Sequence, residues 1–240
     1  MHKTVYWTSG EQYQGEWMDN RKHGKGTMVY KNGDKYEGDW EENVRSGLGV
    51  YWVYDAGRYR VRYNGSWMND LPHGEGVLFA DNGDMYQGEF TNGMRHGRGK
   101  QVYGGRADGF GGDVYEGDWV NDRREGRGTL SKAGGDVYEG CWANDVKQGE
   151  GTLYYVSENK RYDGVWLDDR PRCGEYSEMH DTGPGSESAL PSLELADPRG
   201  TYARAKEDVA ARLAEAGVHV EELQVVGEEE SLYGEDEDDL

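Results

Sequence analysis

One short pattern constrains this chain more than anything else in it: an aromatic, a glycine and a second aromatic on alternate positions, seven times over. Tyr-x-Gly-x-Trp stands at Tyr13-Gly15-Trp17, Tyr36-Gly38-Trp40, Tyr63-Gly65-Trp67, Tyr115-Gly117-Trp119, Tyr138-Gly140-Trp142 and Tyr162-Gly164-Trp166, with Phe replacing Trp in Tyr86-Gly88-Phe90. Eleven residues after each of the first six tyrosines comes Gly-x-Gly, at Gly24/Gly26, Gly47/Gly49, Gly74/Gly76, Gly97/Gly99, Gly126/Gly128 and Gly149/Gly151. The seventh unit ends instead in Cys173-Gly174. Tyrosine-to-tyrosine spacings of 23, 27, 23, 29, 23 and 24 define a 23-residue unit with two insertions, near Asp55–Tyr59 and Gly104–Gly111. A period of this length marks an array in which each unit buries its apolar face against the next.

The alternation within the pattern is that of a strand, whose side chains point to opposite faces with a period of two. Tyr13, Gly15 and Trp17 therefore share one face, and Gln14, Glu16 and Met18 the other. We expect a turn over Asp19–His23 and a returning strand over Gly24–Tyr30, so that each unit is one β-hairpin. Gly10, Gly33, Gly83, Gly112 and Gly135 precede tyrosines by three residues and read as the turns between units, and Thr4–Thr8 as the last strand of an incomplete leading unit. Glycine inside a strand marks a close approach by another group; here it leaves room for aromatic rings to lie flat on the sheet. The expected fold is all-β: a single-layer, elongated, twisted antiparallel sheet of tandem hairpins over residues 1–176, extending on the order of 65 Å at about 4.8 Å per strand.

Composition supports a thin aromatic core. The 240 residues hold 38 Gly, 18 Tyr and 8 Trp but only 3 Phe, and few aliphatic side chains are left to fill a second layer. The repeated units resemble the MORN repeat family across nearly all of residues 4–176. That resemblance implies a non-enzymatic scaffold. Array length, Tyr138-Glu-Gly-Cys-Trp142, Cys173-Gly174 and Asp197-Pro198-Arg199-Gly200 are similar to MORN proteins of cilia and sperm flagella, which implies an axonemal setting, near radial spokes, with other axonemal or ciliary proteins as partners. MORN repeats are also linked to phospholipids, so a membrane tether is the alternative.

Charge separates array from tail. Residues after Tyr176 carry 18 acidic and 4 basic side chains against 29 and 23 in the rest. The array lacks the basic patch of a nucleic-acid binder, and its mild negative charge disfavours an anionic membrane. Two cysteines make no disulfide framework, the N-terminus has no signal-peptide run, and no apolar stretch is long enough to span a bilayer. A cytoplasmic, cytoskeletal location is expected.

No residues assemble into an expected active site, and no cofactor or metal is expected. The Gly-x-Gly pairs lie within hairpins and lack the strand-to-helix context of a nucleotide cradle. His23, His73 and His96 fall in separate units about 10 Å or more apart, too far to share a metal, and read as turn residues. Cys141 and Cys173 have neither a Cys-x-x-Cys spacing nor a His-Asp pair and read as packing residues. Glu16, Asp39, Glu89 and Asp118 recur at solvent-facing positions, whereas catalysis needs one special constellation.

The candidate partner-binding groove is lined by Tyr13, Trp17, Tyr36, Trp40, Tyr63, Trp67, Tyr86, Phe90, Tyr115, Trp119, Tyr138, Trp142, Tyr162 and Trp166, first as the glue between hairpins and then, through any rings left exposed, as a contact surface for helices or extended segments. Open sheet edges leave self-association as a further alternative. The carboxylate position of the first units becomes Cys141 and Val165 in the last two, so the opposite face turns apolar there. Residues 177–200, rich in Gly, Ser and Pro over 181–192, read as a linker. Tyr202, Ala205, Val209, Leu213 and Ala216 form one stripe of a short helix over 201–217, and residues 218–240 as an acidic tail without structure. Leu213 of that helix is expected to dock over Cys141 and Val165, unless the helix folds only on a partner.

Overall fold

The computed structural model describes residues 2–104 and 112–179. The expected helix at 201–217 with Leu213, the acidic tail, most of the linker and the core of the second insertion (105–111) lie outside the described residues.

A leading strand, β1 (His2–Tyr6), precedes seven hairpins: β2/β3 (Gln12–Met18, Arg21–Val29), β4/β5 (Lys35–Glu41, Val44–Asp55), β6/β7 (Arg58–Met68, Leu71–Phe79), β8/β9 (Met85–Thr91, Met94–Val102), β10/β11 (Val114–Val120, Arg123–Ser131), β12/β13 (Val137–Ala143, Val146–Tyr155) and β14/β15 (Lys160–Leu167, Arg170–Glu178). All fifteen join one antiparallel sheet in simple chain order. The all-β, hairpin-by-hairpin sheet expected from the repeats is the fold observed. The leading strand starts two residues earlier than expected, and β15 carries the array to Glu178, into the expected linker.

The expected hairpin turn is corrected. The hairpin turn is two residues, Asp19-Asn20, and not the five of Asp19–His23; Arg21–His23 already belong to β3. Both turn residues have positive φ (47° and 60°), as do Asn69/Asp70, Asn121/Asp122 and Asn144/Asp145. This is the left-handed pair that matches strand twist in a tight hairpin and that Asn and Asp tolerate best. The count of residues is then restored by a bulge: Gly15 pairs with Gly26 but Trp17 with Lys22, so the return strand carries extra residues. Gly24, at φ 59°, sits in that bulge. The first insertion likewise grows no loop. It lengthens β5 and β6 around a tight turn at Ala56-Gly57, with Tyr54 paired to Tyr59 and Asp55 to Arg58.

The turns between units are where Gly10, Gly33, Gly83 and Gly135 placed them, each with φ near 90–100°. In the second, Gly33 N donates to Tyr30 O and Tyr30 N to Asp34 O. Asp34 then reaches the next hairpin, accepting from Tyr51 Oη at 2.8 Å and Tyr54 N at 2.9 Å. These bonds hold its carboxyl below the ordinary range against the opposing effect of burial.

Candidate functional site

The repeated aromatics form one continuous spine on a single face of the sheet. Each tyrosine stands edge-to-face between the Trp or Phe of its own unit and that of the next: Tyr13 between Trp17 and Trp40, Tyr36 between Trp40 and Trp67, Tyr63 between Trp67 and Phe90, and so on to Tyr162 against Trp166. Centroid separations near 5.1–5.9 Å are within the favourable range for such pairs. The glycines make this possible. Gly15 and Gly26 face each other across β2/β3 with no side chain between, and the Tyr13 ring lies over them; a Cβ on Gly26 would overlap the Tyr13 phenol. With the ring flat, Tyr13 Oη donates to Glu16 O at 3.1 Å, and Tyr36, Tyr63, Tyr86, Tyr115 and Tyr138 repeat the bond in their units. Each Trp indole donates back one unit: Trp40 Nε1 to Gly26 O at 3.1 Å, Trp67 to Gly49 O, Trp119 to Gly99 O, Trp142 to Gly128 O and Trp166 to Gly151 O.

Of the fourteen expected groove residues, all but the half-buried Trp17 are 0–6% exposed. As a partner-contact surface, the groove is therefore corrected: these rings are the core, because a tyrosine laid on glycine with an aromatic ring on either side has no free face. The hydroxyls register the burial. Tyr13 is pushed up to about 12, and Tyr36, Tyr63, Tyr86, Tyr115 and Tyr138 are raised further, desolvation being the main cause in each.

What covers the spine was missed in the sequence. A basic residue nine positions after five of the seven tyrosines lies over the next unit's indole: Lys22 on Trp40, Arg45 on Trp67, Arg95 on Trp119, Arg124 on Trp142 and Lys147 on Trp166, at 4.1–4.8 Å. Each is tied to the following hairpin's turn. Arg45 Nε and N both donate to Asp70 Oδ1 at 2.9 Å, and Asp70 N returns a bond to Arg45 O. Arg95 with Asp122 and Arg124 with Asp145 repeat this, while Asn43 and Asp169 accept only the backbone N–H of Lys22 and Lys147. The signal was present as a basic residue two places before most Gly-x-Gly pairs, at the tyrosine period.

That rung is missing at one joint only, between the third and fourth units. Pro72 stands where the cation should be, Phe90 where the indole should be, and Gly93 where the turn Asp should be. A single turn bond, Gly93 N to Pro72 O at 2.8 Å, replaces the cluster, with His73 Nδ1 accepting weakly from Asn92 N at 3.4 Å.

The recurring carboxylates have a structural part that the sequence did not show. They lie on the open face, Glu16 and Glu89 exposed and Asp39 and Asp118 partly so, and there they close the bulge: Glu16 accepts Lys25 N, Asp39 accepts Leu48 N, Glu89 accepts Arg98 N and Asp118 accepts Arg127 N at 2.9–3.1 Å. The bulge frees the N–H between the two glycines, and a short acid three residues after the tyrosine satisfies it. His23, His73 and His96 are corrected from turn residues to strand residues; Nδ1 of His23 and His96 is buried without a hydrogen-bond partner. Cys141 and Cys173 are free and half-buried, with burial pushing both thiols up.

The opposite face is mostly charged and polar, with scattered exposed apolar side chains at Met18, Phe79, Met94 and Val120 and two apolar groups. On β5–β7, Leu48 is 63% exposed, Leu71 45% and Met68 41%, with Val50 and Val77 half-buried beside them. On β12–β14, Ala143, Val165 and Leu167 are apolar but buried.

Fold and site together define a class: an open ribbon of hairpins that carries an internal aromatic spine and presents a side-chain surface on its other face. A family model for the MORN repeat matches residues 13–35, 36–54, 63–85, 86–107, 115–137 and 138–160, more than half of the chain. The chain belongs to the MORN repeat family. The hairpin at 160–178 continues the spine beyond the six matched repeats. No curated protein matches the chain. Membership makes it a repeat protein of a kind that binds proteins or membrane lipids.

Proposed function

We propose that this chain is a non-enzymatic protein-binding scaffold of a ciliary or flagellar axonemal assembly, near the radial spokes. The observation that carries the binding reading is the exposed apolar group Leu48, Met68 and Leu71, clustered on a sheet face whose other exposed apolar side chains are scattered among charged and polar ones. Clustered apolar side chains rimmed by charge are how a docking surface differs from the surface around it. The aromatic spine supports this role by holding the face rigid without contributing to it. The axonemal setting rests on similarity to MORN-repeat-containing protein 3 in array length, in Tyr138–Trp142, in Cys173-Gly174 and in Asp197–Gly200.

The test is recovery of partners from ciliated-cell extract with the wild-type chain and with Leu48→Glu/Met68→Glu. Axonemal proteins held by wild type and released by the variant support the reading; an identical set from both overturns this surface. Sedimentation with phosphoinositide vesicles tests the alternative, and strong, salt-sensitive binding would replace the scaffold with a membrane tether.

A further inference from the structure

The position five residues after each repeat tyrosine points away from the spine. Where it is apolar in the early units it is open to solvent: Met18 is 50% exposed, Met68 41% and Val120 41%. In the last two units the same position is Ala143 at 7% and Leu167 at 2%, and Val165, at the bulge-closing position, is at 1%. Lateral neighbours do not account for the difference. Val165 pairs with Glu150 on one side and Cys173 on the other, much as Asp118 pairs with Arg98 and Glu125 in a unit where Val120 stays open. A one-layer sheet buries its second face only where something lies on it.

We propose that residues 201–217 of the same chain lie on this face, across β12–β14, with Val209 and Leu213 against Val165 and Leu167. The segment offers the matching chemistry: Tyr202, Ala205, Val209, Leu213 and Ala216 recur at spacings of 3, 4, 4 and 3, one apolar stripe if helical. A helix of this length is about 25 Å long and crosses three strands about 4.8 Å apart with room to spare. The tether allows it. The chain leaves the sheet at β15, beside β14, and residues 180–200 can span up to about 70 Å. A tethered occupant acts at an effective concentration on the order of millimolar, well above that of a free partner or second copy. The apolar end of this face is then occupied by the chain itself, and the surface left for partners is that of the first five units.

The test uses the full-length chain with Leu213→Glu and Val209→Glu, both outside the repeat sequence, and Ala211→Glu off the stripe as control. Methyl resonances of Val165 and Leu167 should shift in the first two variants and not in the control, and alkylation of Cys141 should accelerate several-fold. Unchanged indole resonances of Trp40 and Trp67 report that the array stays folded. Unmoved Val165 and Leu167 resonances with an unchanged Cys141 rate would overturn the proposal. So would wild-type shifts that track protein concentration, which would make the occupant a second copy.

Discussion

At the scale of single residues, the glycine under each tyrosine ring is as constrained as the ring itself. A methyl group on Gly128 would overlap the Tyr115 phenol, and one on Gly117 would come within 2.5 Å of the Gly128 Cα. Gly128→Ala should destabilise the array by about 2–3 kcal/mol, as overpacking does in a rigid site, read from the denaturant midpoint. The buried hydroxyls set a pH limit. Their folded values lie above the ordinary phenol value near 10, so the folded chain holds these protons more tightly than the unfolded chain. Their contribution is complete below about pH 10 and is lost as pH climbs through 12 and beyond. Tyrosinate absorbance should rise late and together with loss of the β signal. Early, independent titration of the spine would contradict the burial.

Between elements, neighbouring hairpins are held by backbone pairing, by ring contacts and by the rung of cation, indole and turn acid. Arg124→Met should cost about 1–2 kcal/mol, the sum of a cation–π contact and a partly buried ion pair. The joint between the third and fourth units lacks all three parts of the rung, which makes β7/β8 the weakest joint between complete hairpins. Amide exchange should be faster there than at any other joint between complete hairpins. Pro72→Arg with Phe90→Trp and Gly93→Asp rebuilds the rung and should raise stability by about 1–2 kcal/mol while slowing exchange across that joint. No gain from the triple variant would mean that backbone pairing alone sets the strength of the joints.

For the molecule as a whole, simple strand order means that each unit answers only to its neighbours. Removing residues 115–137, one full 23-residue period, joins Val114 to Tyr138 in the register that Val137 now holds. It places Trp142 where Trp119 was, within reach of Arg95. The shortened chain should fold, and small-angle scattering should find its longest dimension reduced by about 10 Å, two strand spacings. A chain that failed to fold would point to long-range cooperation that the sheet order does not display.

Most of the architecture was legible because it is local. A two-residue alternation of ring and glycine can only be a strand face, and a 23-residue period of such strands can only stack in order. The same locality made Gly33 and Gly135 readable as turns. Three features were not readable, since each depends on which atoms meet across strands. The two-residue turn at Asp19-Asn20 and its bulge follow from strand twist, and only the bulge shows why Glu16 faces the Lys25 N–H. The cation over each indole belongs to one hairpin and its acid to the next, so neither Arg45 nor Asp70 announces the rung alone. The fate of the aromatic face turned on packing as well: the repeat marked it as glue but not how much of it stays open for contact, and the flat tyrosines over paired glycines leave only Trp17 half-buried. The surface is the other face, where exposure at Leu48 and burial at Val165 depend on what lies above the sheet and not on the alternation within it.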